Sequence, residues 1–231
     1  MSTKGSVTGQ IVGKQVASRV PHLAPQLTTS FVREALHRAI HGIGPLPPAA
    51  EAADKQLREQ RGDVDRAIHE VVENHVRYAG AQGLVNGLGG VLTAVVTIPA
   101  NIAGLALIQT RMVAGIAHLR GYDLDDPRVR NAILACMLGE DVVDSLIRRK
   151  LLPAPPMAIA TAPVHDPQLD RVLSAEVASD LITQAGGKRL AITIGRRVPL
   201  VGGAFGMGID GFDTWRVGRY AGRELRPRAR R

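Results

Sequence analysis

The chain has 231 residues, 45% of them apolar but only 3% aromatic, and a formal net charge of +8. That length suits one domain, and a core made of Ala, Val, Leu, Ile and Gly favours close helix packing over a β-sandwich. The single cysteine, Cys136, excludes an internal disulfide framework and suits a reducing, cytoplasmic compartment; Met1–Lys14 is polar and has no secretory apolar run.

Residues 1–28 are rich in Gly, Ser, Thr and Pro and read as a flexible arm, with a short helix near Ile11–Val20. Thr29 or Ser30 is placed to cap a helix running to about Ile40, because Phe31, Val32, Leu36, Ala39 and Ile40 fall at helical spacing. Gly42 to Pro48 ends it. A charged helix over about Ala49–Gln60 stops at Gly62, and Asp63 caps the next, about Val64–Tyr78, whose apolar residues Val64, Ala67, Ile68, Val71, Val72 and Val76 share a face.

The next segment organises the rest. Tyr78–Thr110 runs for 33 residues without a charge, bounded by Arg77 and Arg111. Pro99 removes a backbone donor and disfavours one straight helix, so two helices are predicted, about Ala81–Val96 and about Pro99–Arg120, with proline at the first turn of the second. Each uncharged half is short for a membrane span and ordinary for a core helix or a membrane-dipping hairpin. A buried core, a membrane-embedded hairpin and a partner interface are all compatible with it.

Gly121 is a natural C-cap. Asp125 or Asp126 then caps a helix with Pro127 in its first turn, and a short helix over about Asp141–Leu151 follows. Cys136, inside the run Ile133–Leu138, reads as a buried, inert thiol. Leu152–Pro167 holds five prolines and is predicted to be an extended linker within the domain. Leu169–Gln184 is amphipathic, Gly186-Gly187 a break, and Lys188–Arg197 a short helix. From Val198 a proline and five glycines lead into a helix ending near Leu225. The fold class is therefore all-α: one helical bundle over residues 29–225, with a Gly/Pro-rich apolar helix pair at its centre.

Residues 226–231 form a flexible basic tail. From Arg216 to Arg231 there are seven arginines and one acid, Glu224, so this end supplies +6 of the net +8. Such an end seeks an anionic partner. Nucleic acid fits poorly, since only Trp215 and Tyr220 are at hand for base stacking and no nucleic-acid-binding signature accompanies them. An anionic membrane surface, or a membrane protein, fits better beside an apolar, Gly-rich core, with Arg219, Arg223, Arg226, Arg228, Arg230 and Arg231 as the contacts.

Four blocks carry a resemblance. GLVNGLGG at Gly83–Gly90, TIPANI at Thr97–Ile102, and RMVAGIA at Arg111–Ala117 followed by GYDLD at Gly121–Asp125 resemble the EcsC protein family; VPLVGG at Val198–Gly203 leading to IDGFDTW at Ile209–Trp215 is similar to that family's last block. The match spans roughly Leu36–Leu225. The resemblance implies an all-helical protein of a family named for its occurrence beside an ABC transporter, with no established catalytic residues to carry over. Asp210 stands where the family pattern leads one to expect a small or amide residue.

Few motifs carry chemistry. Gly9 to Gln15 is one residue short of a P-loop and lacks its Ser/Thr, and Gly202–Gly206 lacks the strand that a dinucleotide site needs. Glu34, His37 and His41 share a helix face and could hold a metal, although a pair of exposed histidines is the plainer account. His69 and His75 are six apart, which does not suit a zinc protease, and Glu73–Arg77 reads as an i,i+4 ion pair. Asn101 and Gln109 lie on one face of an apolar helix, and Asp210 and Asp213 one turn apart on another. Asn101 and Gln109 could hydrogen-bond across helices or face a small ligand; Asp210 and Asp213, if buried, must pair or take a proton, or serve a lipid headgroup, an ion or a substrate. Two functions follow as expectations: a non-enzymatic, membrane-associated interaction protein needing no cofactor, or a soluble small-ligand binder or enzyme with a pocket near Asn101, Gln109, Asp210 and Asp213.

Overall fold

The computed structural model describes residues 24–88, 100–195 and 201–228. Among them are nine helices and no strand: α1 (Ala24–His41), α2 (Ala49–Glu59), α3 (Val64–Leu88), α4 (Ala100–Leu119), α5 (Pro127–Leu138), α6 (Glu140–Arg148), α7 (Pro156–Ala160), α8 (Pro167–Gly195) and α9 (Val201–Glu224). The all-α bundle expected from composition is what forms.

Glycine and capping chemistry set several boundaries. Gly42, at φ +84°, turns the chain after α1, and its N–H donates to the Arg38 carbonyl at 2.9 Å. Gly121 does the same after α4, where the Tyr122 N–H reaches back to the Ala117 carbonyl at 3.0 Å, closing the helix end. Asp126 caps α5: its carboxylate accepts from the Arg128 N–H at 2.8 Å, with Pro127 at the first helical position.

Other boundaries differ from expectation. Helix α1 begins at Ala24, so Thr29 and Ser30 lie inside it rather than capping it. Helix α3 continues through Gly80 to Leu88 as one 25-residue helix, and α8 runs unbroken through Gly186-Gly187 for 29 residues. A glycine in a helix interior costs only about 1 kcal/mol relative to alanine, too little by itself to end a helix. In the proline-rich excursion, Pro156–Ala160 is helical, and Leu152, Pro156, Ile159 and Ala160 are buried. That segment therefore contributes to the core and packs on α5. The short helix expected at Ile11–Val20, the segment Gly89–Pro99 and the tail beyond Arg228 lie outside the described residues.

Helix α4 is the axis of the bundle. Its residues from Leu105 to Leu119 are mostly buried, and α1, α2, α3, α5 and α9 all pack on it. A helix apolar on every side is a core helix by nature. The Ile102–Leu119 window, mean hydropathy 1.4, is long and apolar enough to cross a membrane, but 72% of it is buried within the fold. Thr110, at the heart of α4, is satisfied locally: its hydroxyl donates to the Ala106 carbonyl at 2.6 Å and lies 3.0 Å from Met137 Sδ.

Among the described residues, the most extensive helix–helix interface joins α3 and α9. A Cβ added at Gly211 would lie 3.6 Å from Val76 Cγ1, and one at Gly218 would lie 2.9 Å from both Val72 methyl carbons. Moving forward along α9 thus means moving backward along α3: the pair is antiparallel. Met112 also meets Gly218, and Gly115 meets Val71, so α4 is antiparallel to α3 and parallel to α9. In consequence the C-terminal half of α3 and the N-terminal halves of α4 and α9 run to the same end of the bundle.

Candidate functional site

That end gathers the uncharged sequence. Residues 78–88 of α3, 100–110 of α4 and 201–209 of α9 contain no Asp, Glu, Lys or Arg. At the level where charge gives way to apolar sequence, three of the seven aromatic residues of the chain face outward: Tyr78 (61% exposed), Phe212 (58%) and Trp215 (41%). Phe212 and Trp215 stack at 6.0 Å between ring centroids, and the Arg219 guanidinium sits 5.6 Å over the Trp215 ring. The Gly211–Val76 contact sets Phe212 within a turn of Tyr78's level. Exposed arginines flank the aromatics: Arg77 on α3, and Arg216 and Arg219 on α9.

Beside Tyr78 opens a cleft of about 340 Å³. One wall is a stripe of α3, Val71, Asn74, His75 and Tyr78, at the i, i+3, i+4, i+7 spacing of a single helix face. Opposite it, α2 contributes Glu51, Lys55, Gln56 and Arg58, and Leu46 and Pro47 precede α2 at the rim. The floor is Arg111 and Gly115 of α4. Gly115 lets the helices approach: a Cβ there would touch Ala53 and Val71 at 3.6 Å.

Arg111 is the first charge after the uncharged stretch, and it is buried, with 8% of its surface exposed. Its Nη1 is enclosed and makes no hydrogen bond among the described residues. Burial pulls the guanidinium below its ordinary pKa, an effect opposed by Glu51 and Tyr78; a group that starts this high remains a cation. His75, on the facing wall, is held neutral. Burial lowers its pKa from 6.5 to about 4, the bond from its Nδ1 to the Val71 carbonyl (2.7 Å) works against that, and Arg111 lowers it further. The cleft lining thus carries Arg111, Lys55 and Arg58 against one acid, Glu51, and Lys55 also pairs with Glu59 at 3.9 Å.

The residues expected to form a pocket are placed differently from one another. Gln109 is 1% exposed, and its Nε2 lies 3.4 Å from Thr214 Oγ1, across the α4–α9 interface. Asp210 and Asp213 are partly exposed on α9, and both have interaction partners. Asn101 is in the first turn of α4, with its side chain outside the described residues. None of the four lines the Arg111 cleft.

The arginines of the C-terminal end have varied surroundings. Arg223 pairs with Glu140 of α6, as Arg216 does with Asp141 at 2.9 Å. Arg219 covers Trp215. Arg226 is exposed. Arg228 is docked: its N–H donates to the Arg120 carbonyl at 2.8 Å, and its guanidinium lies 5.5 Å over the Tyr122 ring. Arg230 and Arg231 lie outside the described residues.

No group of three metal-binding side chains gathers among the described residues. Glu34 is engaged by Arg38, and the His37 and His41 rings lie 4.4 Å apart, with His41 3.8 Å from Asp125. Cys136 is fully buried, and burial raises its thiol pKa well above the ordinary value, so it is no nucleophile. Glu73 and Arg77 do form the i,i+4 pair, at 4.0 Å.

In the sequence Arg111 only bounds the uncharged stretch, and the cleft is not visible there. Its signal was present in part: an arginine continuing a helix that is apolar on all sides must be buried, and a buried cation needs a partner. The partners of the cleft, however, come from three segments that only the fold brings together.

No curated protein and no solved structure matches the chain. A family model does, over residues 4–229, nearly its whole length. The chain belongs to the EcsC protein family.

Proposed function

We propose that this protein is a membrane-associated interaction protein that sets the uncharged end of its bundle against an anionic bilayer surface from the cytoplasmic side. The observation that carries this reading is the outward-facing trio Tyr78, Phe212 and Trp215 at the level where charged sequence stops. Aromatic rings with one apolar and one polar edge settle at the headgroup level of a bilayer, and exposing three of them to water alone forfeits their burial energy.

Charge complementarity selects the anionic surface. Arg77, Arg216, Arg219 and Arg226 are exposed around or below the aromatics. Basic residues near an anionic leaflet contribute about 1 kcal/mol each. The surface ion pairs that Arg216 and Arg223 make with α6 are exposed and contribute little, so a membrane can draw them away. The core burial of α4 supports peripheral seating of the bundle over a full span of that helix.

Trp215 is the only tryptophan of the chain, so its fluorescence tests the reading directly. Vesicles containing phosphatidylserine should shift its emission to shorter wavelength and protect it from acrylamide, and zwitterionic vesicles should do so far less. Replacing Tyr78 and Phe212 with serine should weaken vesicle binding without unfolding the protein, both side chains being exposed. Unchanged Trp215 emission with anionic vesicles would overturn the proposal.

A further inference from the structure

We propose that the cleft over Arg111 is a binding site for a phosphate group, carried either by a small soluble ester or by a phospholipid headgroup. The argument starts from Arg111 Nη1, buried and without a hydrogen bond among the described residues. A buried donor on a cation is costly to leave unmet, and the described residues provide no acceptor within hydrogen-bond distance of Nη1. Glu51, the acid of the cleft, acts on Arg111 through its charge but is no hydrogen-bond partner of Nη1. An anionic oxygen entering the cleft would supply what is missing.

Phosphate suits the charge and the space. The lining carries Arg111, Lys55 and Arg58 against Glu51. Lys55 also pairs with Glu59 at 3.9 Å, but that pair is exposed and contributes little. An entering anion can therefore draw the lysine to itself and meet two positive charges in excess, which matches a phosphate ester better than a single carboxylate. Guanidinium binds phosphate oxygens through parallel N–H bonds. Asn74 and Gln56 add neutral hydrogen-bonding groups to opposite walls. A volume of about 340 Å³ is at the lower end of ligand pockets and admits a phosphate with a few attached carbons. His75, kept uncharged partly by Arg111, gives the site a reporter: an anion beside Arg111 must raise the pKa of that imidazole.

The test is a thermal and NMR titration of the full chain, without vesicles, against inorganic phosphate, glycerol 3-phosphate and dihexanoyl phosphatidic acid below its micelle concentration, with acetate as the carboxylate control. A bound phosphate should raise the melting temperature and shift the His75 titration upward, with acetate much weaker. Equal affinity for glycerol 3-phosphate and the short-chain lipid assigns a soluble ester; a response to the lipid alone assigns a headgroup. Arg111→Met should bind the probe on the order of tenfold or more weakly, with a melting temperature equal to or above that of the parent, because it removes an unmet buried cation. Should that variant fail to fold, Lys55→Gln with Arg58→Gln, both at exposed positions, should weaken the same response. A parent protein whose melting and His75 titration ignore all three phosphate probes overturns the proposal. So does a response that survives both sets of substitutions. Vesicle binding through Trp215 is a separate readout and should persist in Arg111→Met.

Discussion

Gly218 of α9 faces Val72 of α3 so closely that a methyl group on it would lie 2.9 Å from both Val72 methyl carbons and 3.1 Å from Met112 Sδ. The β-branched Val72 has little rotamer freedom in a helix, and Met112 is fully buried, so neither yields cheaply. Gly218→Ala should therefore destabilise the protein by about 1–3 kcal/mol, despite the better helix propensity of alanine. Gly222, one turn on, meets nothing within 4 Å, and Gly222→Ala should stabilise by up to about 1 kcal/mol. Urea denaturation of the two variants gives opposite signs if the α3–α9 interface is packed as described.

The same contrast explains what sequence conveyed. The helices themselves were legible, because apolar spacing repeats in each, and so were ends with a defined chemistry: Asp126-Pro127 at the start of α5 and Gly121 after α4 both behave as written. The glycines at 80, 186 and 187 misled, since whether a glycine breaks a helix depends on what packs beside it, and that is a tertiary property. Gln109 was recognisable as a polar residue on an apolar helix, but its neighbour Thr214 is 105 residues away. The cleft was illegible for the same reason: Lys55, His75 and Arg111 lie on three helices, and no local pattern joins them.

His75 makes stability depend on pH. Its pKa is about 4 in the folded protein and 6.5 when unperturbed. Between these values the unfolded chain holds a proton that the folded protein lacks, so stability rises with pH across this window. The stabilising contribution is complete above about pH 6.5 and falls on acidification toward pH 4, by up to about 3 kcal/mol. His75→Gln, which keeps a donor for the Val71 carbonyl, should flatten the dependence. Urea midpoints near neutral pH and near pH 4.5 should differ less in the variant than in the parent.

The cap of α5 should be separable from its charge. Asp126 accepts the Arg128 N–H at 2.8 Å and also binds the Arg128 side chain, whose hydrogen bond holds the carboxyl below its usual pKa. Asp126→Ala removes both interactions and should cost about 1–2 kcal/mol, whereas Asp126→Asn keeps an acceptor for the helix end and should lose less. The depressed pKa adds a sign: the contribution is present above the ordinary aspartate range and fades as pH falls through the folded-state value. Thermal melts of both variants at neutral and acidic pH check this; equal losses for alanine and asparagine would assign the effect to charge alone.

Truncation at the C-terminus should give two different results depending on where it starts. Leu225 is fully buried in the core, and the Arg228 N–H is bonded to Arg120 at 2.8 Å, so removing Leu225–Arg231 deletes folded structure. Losing a buried leucine alone costs about 2–5 kcal/mol, and any fall in vesicle binding would then report unfolding. Removing only Ala229–Arg231 leaves Leu225 and Arg228 in place and takes away two arginines. That shorter truncation should leave the melting temperature unchanged, weaken binding to phosphatidylserine vesicles by about 1 kcal/mol per arginine at low ionic strength, and lose this difference as salt screens the surface. If it binds as the parent does at every salt concentration, the attachment belongs to the aromatic level at Tyr78, Phe212 and Trp215 and its adjoining arginines, and the extreme C-terminus has no part in it.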